Sequence, residues 1–121
     1  MDPLNNLPSP RTVLLVDDET YLLSAMVRAF RKFPHWRTVT ACGGNAALAL
    51  LNTQLIDVVV SDMRMPIMDG KELLERIGRQ YPKVRRIMLT GSIRGDLAMS
   101  TYSILAKPCS IESLVALLDK V

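Results

Sequence analysis

The sequence has few of the residues that mark secreted, zinc-binding or membrane proteins. Its 121 residues include two cysteines, Cys42 and Cys109, and one histidine, His35. Two cysteines cannot form a disulfide scaffold, so we interpret them as small fillers in a reducing cytoplasm, and we expect no zinc site. No apolar run approaches the ~18 residues of a membrane span, and the first residues lack the apolar segment of a signal peptide. We therefore expect a cytoplasmic protein that does not enter membranes.

The chain has a net charge of +3, but aromatic residues make up only 5% of it. Both numbers bear on whether it could bind nucleic acid. Nucleic-acid binding would call for clustered basic residues with interleaved aromatics, or for a separate helix-turn-helix pair. The basic residues are instead spread between apolar ones, at Arg28, Arg31, Lys32, Arg37, Arg76, Arg79, Arg85 and Arg86. This distribution predicts a solvated basic face and no direct nucleic-acid binding. A weak docking surface for an acidic partner remains an alternative.

Length and composition indicate one globular domain. A chain of 121 residues with 49% hydrophobic and 22% charged residues matches a single folded unit. Residues 1–10 contain three prolines and two asparagines, which disfavour regular structure and predict a flexible lead-in. The domain is then expected over residues 11–121.

Short apolar runs alternate with segments of helical periodicity. The predicted strands span residues 12–16, 36–41, 58–60, 85–89 and 102–106. The predicted helices span residues 21–33, 43–51 and 69–80, with a last helix from the N-cap residue Ser110. Strands alternating with helices predict a parallel sheet covered on both faces. The order suits a flavodoxin-like (βα)5 three-layer sandwich with strand order 2-1-3-4-5.

Polar side chains stand where four of the predicted strands end. Asp17 and Asp18 follow the first strand, Asp62 the third, Thr90 the fourth and Lys107 the fifth. In this strand order these four strands are neighbours, and ligands bind at their carboxyl ends. Crowded carboxylates require a cation or a proton, and hard oxygen ligands suit Mg²⁺. With a lysine for phosphate oxygens, the set predicts a phosphoryl-transfer site with a carboxylate nucleophile.

At these residues the chain resembles the receiver domain of two-component response regulators, over about residues 11–121. The motifs are Val16-Asp17-Asp18, Ser61 to Pro66 with Met68-Asp69-Gly70, Leu89-Thr90-Gly91 and Lys107-Pro108. Each motif alone is weak, but the four in order at strand ends are specific. The resemblance implies a signalling switch rather than an enzyme.

The resemblance also implies a role for each site residue. Asp62 would accept a phosphoryl group from a phosphohistidine of a histidine kinase. Asp17, Asp18 and Asp62 would hold Mg²⁺ together with the main-chain carbonyl of Arg64. Lys107 would pair with the acceptor carboxylate and then with the phosphoryl oxygens.

Three further expectations follow from the same resemblance. The Thr90 hydroxyl would swing onto the phosphoryl group and pull its loop with it. Pro66 and Gly70 would shape the loop after the third strand. The Lys107–Pro108 peptide would be cis, although generic X-Pro preferences favour trans.

Each residue also has a plainer interpretation. Asp17 and Asp18 could begin the first helix, Thr90 could be a turn residue, and Lys107 could lie on the surface. We expect ordinary roles elsewhere: His35 in a loop, and apolar packing for Met63, Met65 and Met68.

For the whole chain, one alternative is a phosphate-independent pseudo-receiver that binds proteins. Another is a haloacid-dehalogenase-type phosphatase, which calls for Asp-x-Asp where this chain has Asp17-Asp18-Glu19.

A finer resemblance, carried by residues 62–66 and 105–109, is to receivers fused to HD or HDOD output domains. The output domain would lie in the same or another chain.

The chain departs from the receiver pattern after Thr90. Lys107 follows after only 17 residues, interrupted by Gly95, so we predict a short or irregular fourth helix near residues 97–101. Ile104 occupies the aromatic switch position, with Tyr102 two residues earlier on the same strand face. We therefore expect weakened or rerouted threonine-to-aromatic coupling and loss of the usual dimer face. The protein should be a monomer or weak dimer whose partners dock elsewhere, for example on the first helix.

Overall fold

The computed structural model describes residues 9–92 and 101–120, which form five strands and four helices. The strands are β1 (Arg11–Val16), β2 (Trp36–Ala41), β3 (Val58–Asp62), β4 (Arg85–Thr90) and β5 (Ser103–Ala106). The helices are α1 (Thr20–Phe30), α2 (Gly44–Thr53), α3 (Gly70–Gln80) and α4 (Ile111–Leu118). Of the predicted lead-in only Ser9 and Pro10 lie within the described residues. The predicted short helix near 97–101 falls outside them except for Thr101.

All strand pairs are parallel, and the strand order is β2-β1-β3-β4-β5. This confirms the predicted flavodoxin-like fold. β3 is the central strand, and its residues Val58, Val59 and Val60 are at most 1% exposed. A continuous apolar run is what a parallel strand covered on both faces requires.

Two apolar clusters fill the space between the sheet and its helices. One cluster joins α2 and α3 to one face of the sheet and includes Leu14, Val59, Leu73 and Met88. The other joins α1 and α4 to the opposite face through residues such as Val13, Val60, Leu23 and Leu114. Successive strand residues point to opposite faces, so one strand feeds both clusters. Within the described ranges, no helix is long and apolar enough to span a bilayer.

The predicted N-cap Ser110 is confirmed, and the second helix ends at Thr53 rather than at Leu51. The Ser110 and Asp69 side chains accept hydrogen bonds from the backbone N–H groups of Ser113 and Glu72, as N-caps do. α1, however, ends at Phe30 rather than at Phe33. The chain continues there through i→i+3 bonds, such as Phe33 N–H to the Phe30 carbonyl at 2.8 Å. This tighter turn keeps Phe33 against the core without extending the α-helix.

Arg85 and Arg86, counted above in a solvated basic face, are structural instead. They stand next to each other in β4 and therefore face opposite sides of the sheet. The Arg85 guanidinium donates to the carbonyls of Leu117 and Leu118 at the end of α4, at 2.9 and 2.7 Å. That of Arg86 donates to the Leu74 carbonyl in α3 at 2.9 Å. The two arginines thus attach one helix on each face to the central sheet.

The cysteines also depart in part from the expectation. Both are free within the described structure, but Cys42 is exposed rather than a buried filler.

The end of α4 is attached to the start of β2 as well. Asp119, the C-cap of α4, accepts from the Trp36 indole N–H at 2.8 Å and lies 3.0 Å from His35 Nε2. Arg11 lies over the Trp36 ring at 4.6 Å. A carboxylate at a helix C-terminus is unfavourable by itself, so these contacts offset that cost. The Trp36 hydrogen bond lowers the pKa of the Asp119 carboxyl below its ordinary value, and His35 adds to the effect.

We predict that Asp119→Asn lowers the free energy of unfolding at pH 7. Because the folded-state pKa is lowered, the ionised carboxylate stabilises the fold above its unfolded pKa of about 3.9. That contribution is lost as the pH falls through the folded-state value, so the difference from wild type should vanish in acid. Urea unfolding between pH 3 and pH 7 measures it. Glu112→Gln, an exposed charge change on the same helix, is the control and should have little effect; a pH-independent difference for Asp119→Asn would contradict the prediction.

Candidate functional site

Three carboxylates meet at the carboxyl edge of the sheet. Asp17 and Asp18 follow β1, and Asp62 is the last residue of β3. One oxygen from each lies within 4.8 Å of the others. Asp17 is 6% exposed, Asp62 is half-buried and Asp18 is exposed. Helix α1 begins only at Thr20 with Glu19 as its N-cap, so the two acids precede the helix rather than forming its first turn.

Lys107 is the cation that faces these carboxylates. Its Nζ donates to Asp62 Oδ1 at 2.6 Å, and the Asp62 side chain is 16% exposed. The Lys107 backbone N–H donates to the Thr90 carbonyl at 2.8 Å, which holds the lysine at the end of β4. The Lys107–Pro108 peptide is cis. Lys107 is partly exposed, as the plainer interpretation of a surface lysine allows, but its ammonium is paired with Asp62.

Thr90 lies at the same edge, but its hydroxyl is engaged by its own loop. The side chain is buried, and Oγ1 donates to the Ser92 carbonyl at 3.0 Å and accepts from the Ser92 N–H at 3.2 Å. The predicted site residue is therefore present, with its hydroxyl held in the loop after β4.

The acidic cluster is electrostatically costly without a counterion. Burial raises the pKa of the Asp17 carboxyl, and the charges of Asp62 and Asp18 add to the increase. The Glu19 N–H, 3.0 Å from Asp17 Oδ1, and the Lys107 ammonium act in the opposite direction. Three hard oxygen donors at this spacing suit a divalent cation such as Mg²⁺. The residues present therefore fit the metal that the sequence predicted.

The loop between β3 and α3 is attached to its surroundings at both ends. Met63 N–H donates to the Leu89 carbonyl at 3.2 Å, and Gly70 N–H donates to the Met63 carbonyl at 2.8 Å. A Cβ at Gly70 would overlap the Asp62 carbonyl, so only glycine permits this close approach of α3. This is a physical basis for the predicted role of Gly70.

Other residues of this loop were also predicted from the sequence. Met63, Met65 and Met68 are buried in the core cluster, which confirms apolar packing as their role. Arg64 is exposed in the same loop. Its main-chain carbonyl as a metal ligand stays a prediction.

Ile67, in the same loop, carries a backbone outlier that the sequence did not indicate. Its φ is 72°, and Met68 N–H donates to the Pro66 carbonyl at 2.8 Å across it, forming a γ-turn. This turn is strained for a β-branched residue. The side chain is 94% exposed, so core packing does not explain the isoleucine. No sequence signal could have identified this position, because glycine or asparagine is the residue expected there.

A groove of about 600 Å³ leads away from the site between α1 and α4. Leu22, Met26, Ile111 and Leu114 contribute to its mostly apolar wall, and Asp17 and Lys107 stand at its end. The groove therefore borders both the acidic cluster, at Asp17, and one side of α1.

Comparison with known proteins agrees with this arrangement. A family model described as the response regulator receiver domain matches residues 13–119. The DNA-binding transcriptional regulator NtrC of Klebsiella pneumoniae is 35% identical over 111 residues, 88% of this chain. The chain spans only 24% of the length of that regulator.

Two solved structures are similar over most of their length. The signal receiver domain of an HD domain-containing protein from Pseudomonas fluorescens Pf-5 is 32% identical, with a TM-score of 0.82 and coverage of 90% of this chain and 91% of that one. The chemotaxis protein CheY4 of Vibrio cholerae is 28% identical, with a TM-score of 0.83 and coverage of 93% and 99%.

We predict that Asp17→Asn stabilises the metal-free protein by on the order of 1 kcal/mol, because it removes a buried charge that two neighbouring carboxylates repel. Thermal unfolding in EDTA measures the change. Asp18→Asn removes the same charge from an exposed position and should stabilise less. A destabilised Asp17→Asn variant would contradict the prediction and show that the Glu19 N–H and the Lys107 ammonium together outweigh burial and repulsion.

We also predict that Ile67→Gly is more stable than Ile67→Ala, by about 1 kcal/mol, because alanine keeps the Cβ that strains a positive φ. This reverses the usual order of the two residues. Urea unfolding of both variants tests it, and a more stable alanine variant would contradict the strain argument.

Proposed function

This chain belongs to the response regulator receiver domains, and from that membership we propose that it accepts a phosphoryl group on Asp62 from a phosphohistidine of a partner histidine kinase. Receiver domains are signalling modules of two-component systems rather than classical enzymes. We propose residues 11–121 as the receiver unit, close to the 13–119 of the family match. We further propose that it acts in the cytoplasm.

One observation carries the proposal: the Asp62 carboxylate is paired with Lys107 at 2.6 Å inside the cluster formed with Asp17 and Asp18. The Lys107 ammonium offsets the negative charge that Asp62 shares with two other carboxylates. Asp62 therefore combines an available carboxylate oxygen with neighbours suited to phosphate and metal. A phosphate-independent binding module has no need of this combination.

In the proposed reaction an Asp62 oxygen attacks the phosphorus of the donor. The new P–O bond forms as the P–N bond breaks, and the electron pair of that bond stays on the donor imidazole nitrogen. Asp17, Asp18 and Asp62, with the Arg64 carbonyl, would hold Mg²⁺, which supplies positive charge for the phosphoryl oxygens when bound. Lys107 would move from the carboxylate to a phosphoryl oxygen as a point charge.

Phosphorylation would then change the loop after β4. The phosphate adds about 1.5 to 2 negative charges at pH 7, which favours a hydroxyl donor beside it. Thr90 would have to release the carbonyl and N–H of Ser92 to provide that donor. The loop after Thr90 would then rearrange, so that phosphorylation at Asp62 changes the surface of the protein.

We propose that a rearrangement of this loop is not relayed by an aromatic switch. Ile104 and Tyr102 both pack in the cluster beneath α2 and α3, as their predicted shared strand face requires. An isoleucine cannot exchange a hydroxyl between solvent and the interior. The groove along α1 supports partner docking on that helix, and we propose a monomer or weak dimer.

The output domain is proposed from two kinds of relative. The Pseudomonas fluorescens receiver comes from an HD domain-containing protein, which supports an HD or HDOD output. NtrC is a DNA-binding transcriptional regulator, which supports a transcriptional output instead. Direct nucleic-acid binding by residues 11–121 themselves is not proposed.

The proposal predicts that phosphoramidate with Mg²⁺ adds the mass of one phosphate to the wild type and none to Asp62→Asn. Intact-mass spectrometry measures it. Asp69→Asn is the matched control, because Asn preserves the N-cap of α3 and the variant should still be labelled. A wild type without added mass, under conditions that label another receiver, would refute the proposal.

Mg²⁺ binding separates the proposal from the pseudo-receiver alternative. Amide NMR should show Mg²⁺-dependent shifts at Asp17 and Asp18 that disappear when both are changed to Asn. Trp36 fluorescence suits this less well, because Trp36 begins β2 and faces the opposite edge of the sheet. Binding that persists without the two acids would favour the alternative.

A further inference from the structure

Ser61 is a polar residue in the most buried strand. It stands between Val60 and Asp62 in β3 and is 0% exposed. Its hydroxyl donates to the main-chain carbonyl of Asp62 at 2.9 Å. The sequence motif alone gives this hydroxyl no role, but a buried hydroxyl is costly unless it is hydrogen-bonded.

The position of the Asp62 carbonyl explains why it accepts from a side chain. The N–H of the next residue, Met63, donates to the Leu89 carbonyl of β4. In a trans peptide the C=O and N–H groups point in opposite directions, so the Asp62 carbonyl points toward β1. The pairing of β1 with β3 ends at Val16 and Ser61, and the N–H of Asp17 donates to Ala41 of β2 instead. The Asp62 carbonyl thus lies just beyond the last paired residues of β1 and β3, and there the Ser61 hydroxyl donates to it.

Gly70 closes the third side of the same peptide. A Cβ at this position would overlap the Asp62 carbonyl oxygen, so α3 packs directly on that group. The peptide between Asp62 and Met63 is therefore held by a β4 carbonyl, by the start of α3 and by the Ser61 hydroxyl. The Cα of Asp62 is one of the atoms of this planar peptide. The direction of the Asp62 side chain therefore depends on how the peptide is held.

We propose that Ser61 is a positioning residue for the phosphoacceptor: its hydroxyl fixes the carbonyl of Asp62 and so aims the carboxylate at Lys107 and the acidic cluster. The inference rests on the proposed phosphoryl transfer for its catalytic consequence. Its structural consequence, a constrained Asp62–Met63 peptide, holds without phosphate.

The first test compares Ser61→Ala with Ser61→Thr, which keeps the hydroxyl. The rate of Asp62 phosphorylation by phosphoramidate at saturating Mg²⁺ should fall about tenfold in Ser61→Ala, since small misplacements of a reacting group are costly. Ser61→Thr should stay within about twofold of wild type. An alanine variant that melts earlier but is labelled at the wild-type rate would assign Ser61 to stability alone and overturn the proposal.

A second comparison covers the case in which the extra methyl of threonine prevents folding. Ser61→Cys has nearly the same size and a weak S–H donor, so its phosphorylation rate should lie between those of wild type and Ser61→Ala. Equal rates for the cysteine and alanine variants, both folded by circular dichroism, would overturn the role of the hydroxyl.

Two readouts do not need phosphate. Hydrogen exchange of the Met63 amide in metal-free protein should accelerate in Ser61→Ala, and the Mg²⁺ dissociation constant from NMR titration should rise severalfold. If wild type takes no phosphate yet both changes appear, the proposed function fails and the positioning role stands. If neither changes, the positioning role fails whatever happens to phosphate.

Discussion

Three carboxylates repel one another at the carboxyl end of the sheet, and the groups around them must offset that repulsion. A parallel sheet brings the carboxyl ends of β1 and β3 to one edge, and Asp17, Asp18 and Asp62 share it because their strands are neighbours. The Lys107 ammonium offsets part of that repulsion, and burial of Asp17 adds to the cost. The site therefore favours binding of a divalent cation, whose charge would offset that of the carboxylates. The proposed phosphoryl transfer would use this excess of negative charge to hold a metal ion beside Asp62.

The opposite edge of the sheet contains attachments that stabilise the fold. Arg85 holds the end of α4, and Trp36 and His35 hold the Asp119 carboxylate beside it. On the other face of the sheet, Arg86 donates to a carbonyl of α3 and holds that helix. These attachments lie at the other end of the strands from the charge cluster and the strained turn at Ile67. Stability and function thus occupy opposite ends of the same strands.

The strand order, the helices flanking the sheet and the members of the site could be predicted from the sequence. Apolar runs in β1 and β3 require burial on both faces, and residues that end neighbouring parallel strands must meet. The end of α1 was predicted at Phe33 but lies at Phe30. The reason is that i→i+3 turns and an α-helix have nearly the same apolar spacing. Arg85 and Arg86 were misjudged because composition does not distinguish a solvated guanidinium from one that binds helix carbonyls.

Apolar periodicity thus specifies which chemical groups gather at the site, because it fixes the strands, and the strand order fixes which strand ends are neighbours. Tertiary structure alone decided how those groups are aimed. The Thr90 hydroxyl is held by Ser92, the Ser61 hydroxyl by the Asp62 carbonyl, and the γ-turn at Ile67 by the attached ends of its loop. These three contacts are local in sequence, but distant partners place the backbone that makes them: Met63 N–H donates to the Leu89 carbonyl, and Lys107 N–H donates to the Thr90 carbonyl. No residue type specifies them in isolation.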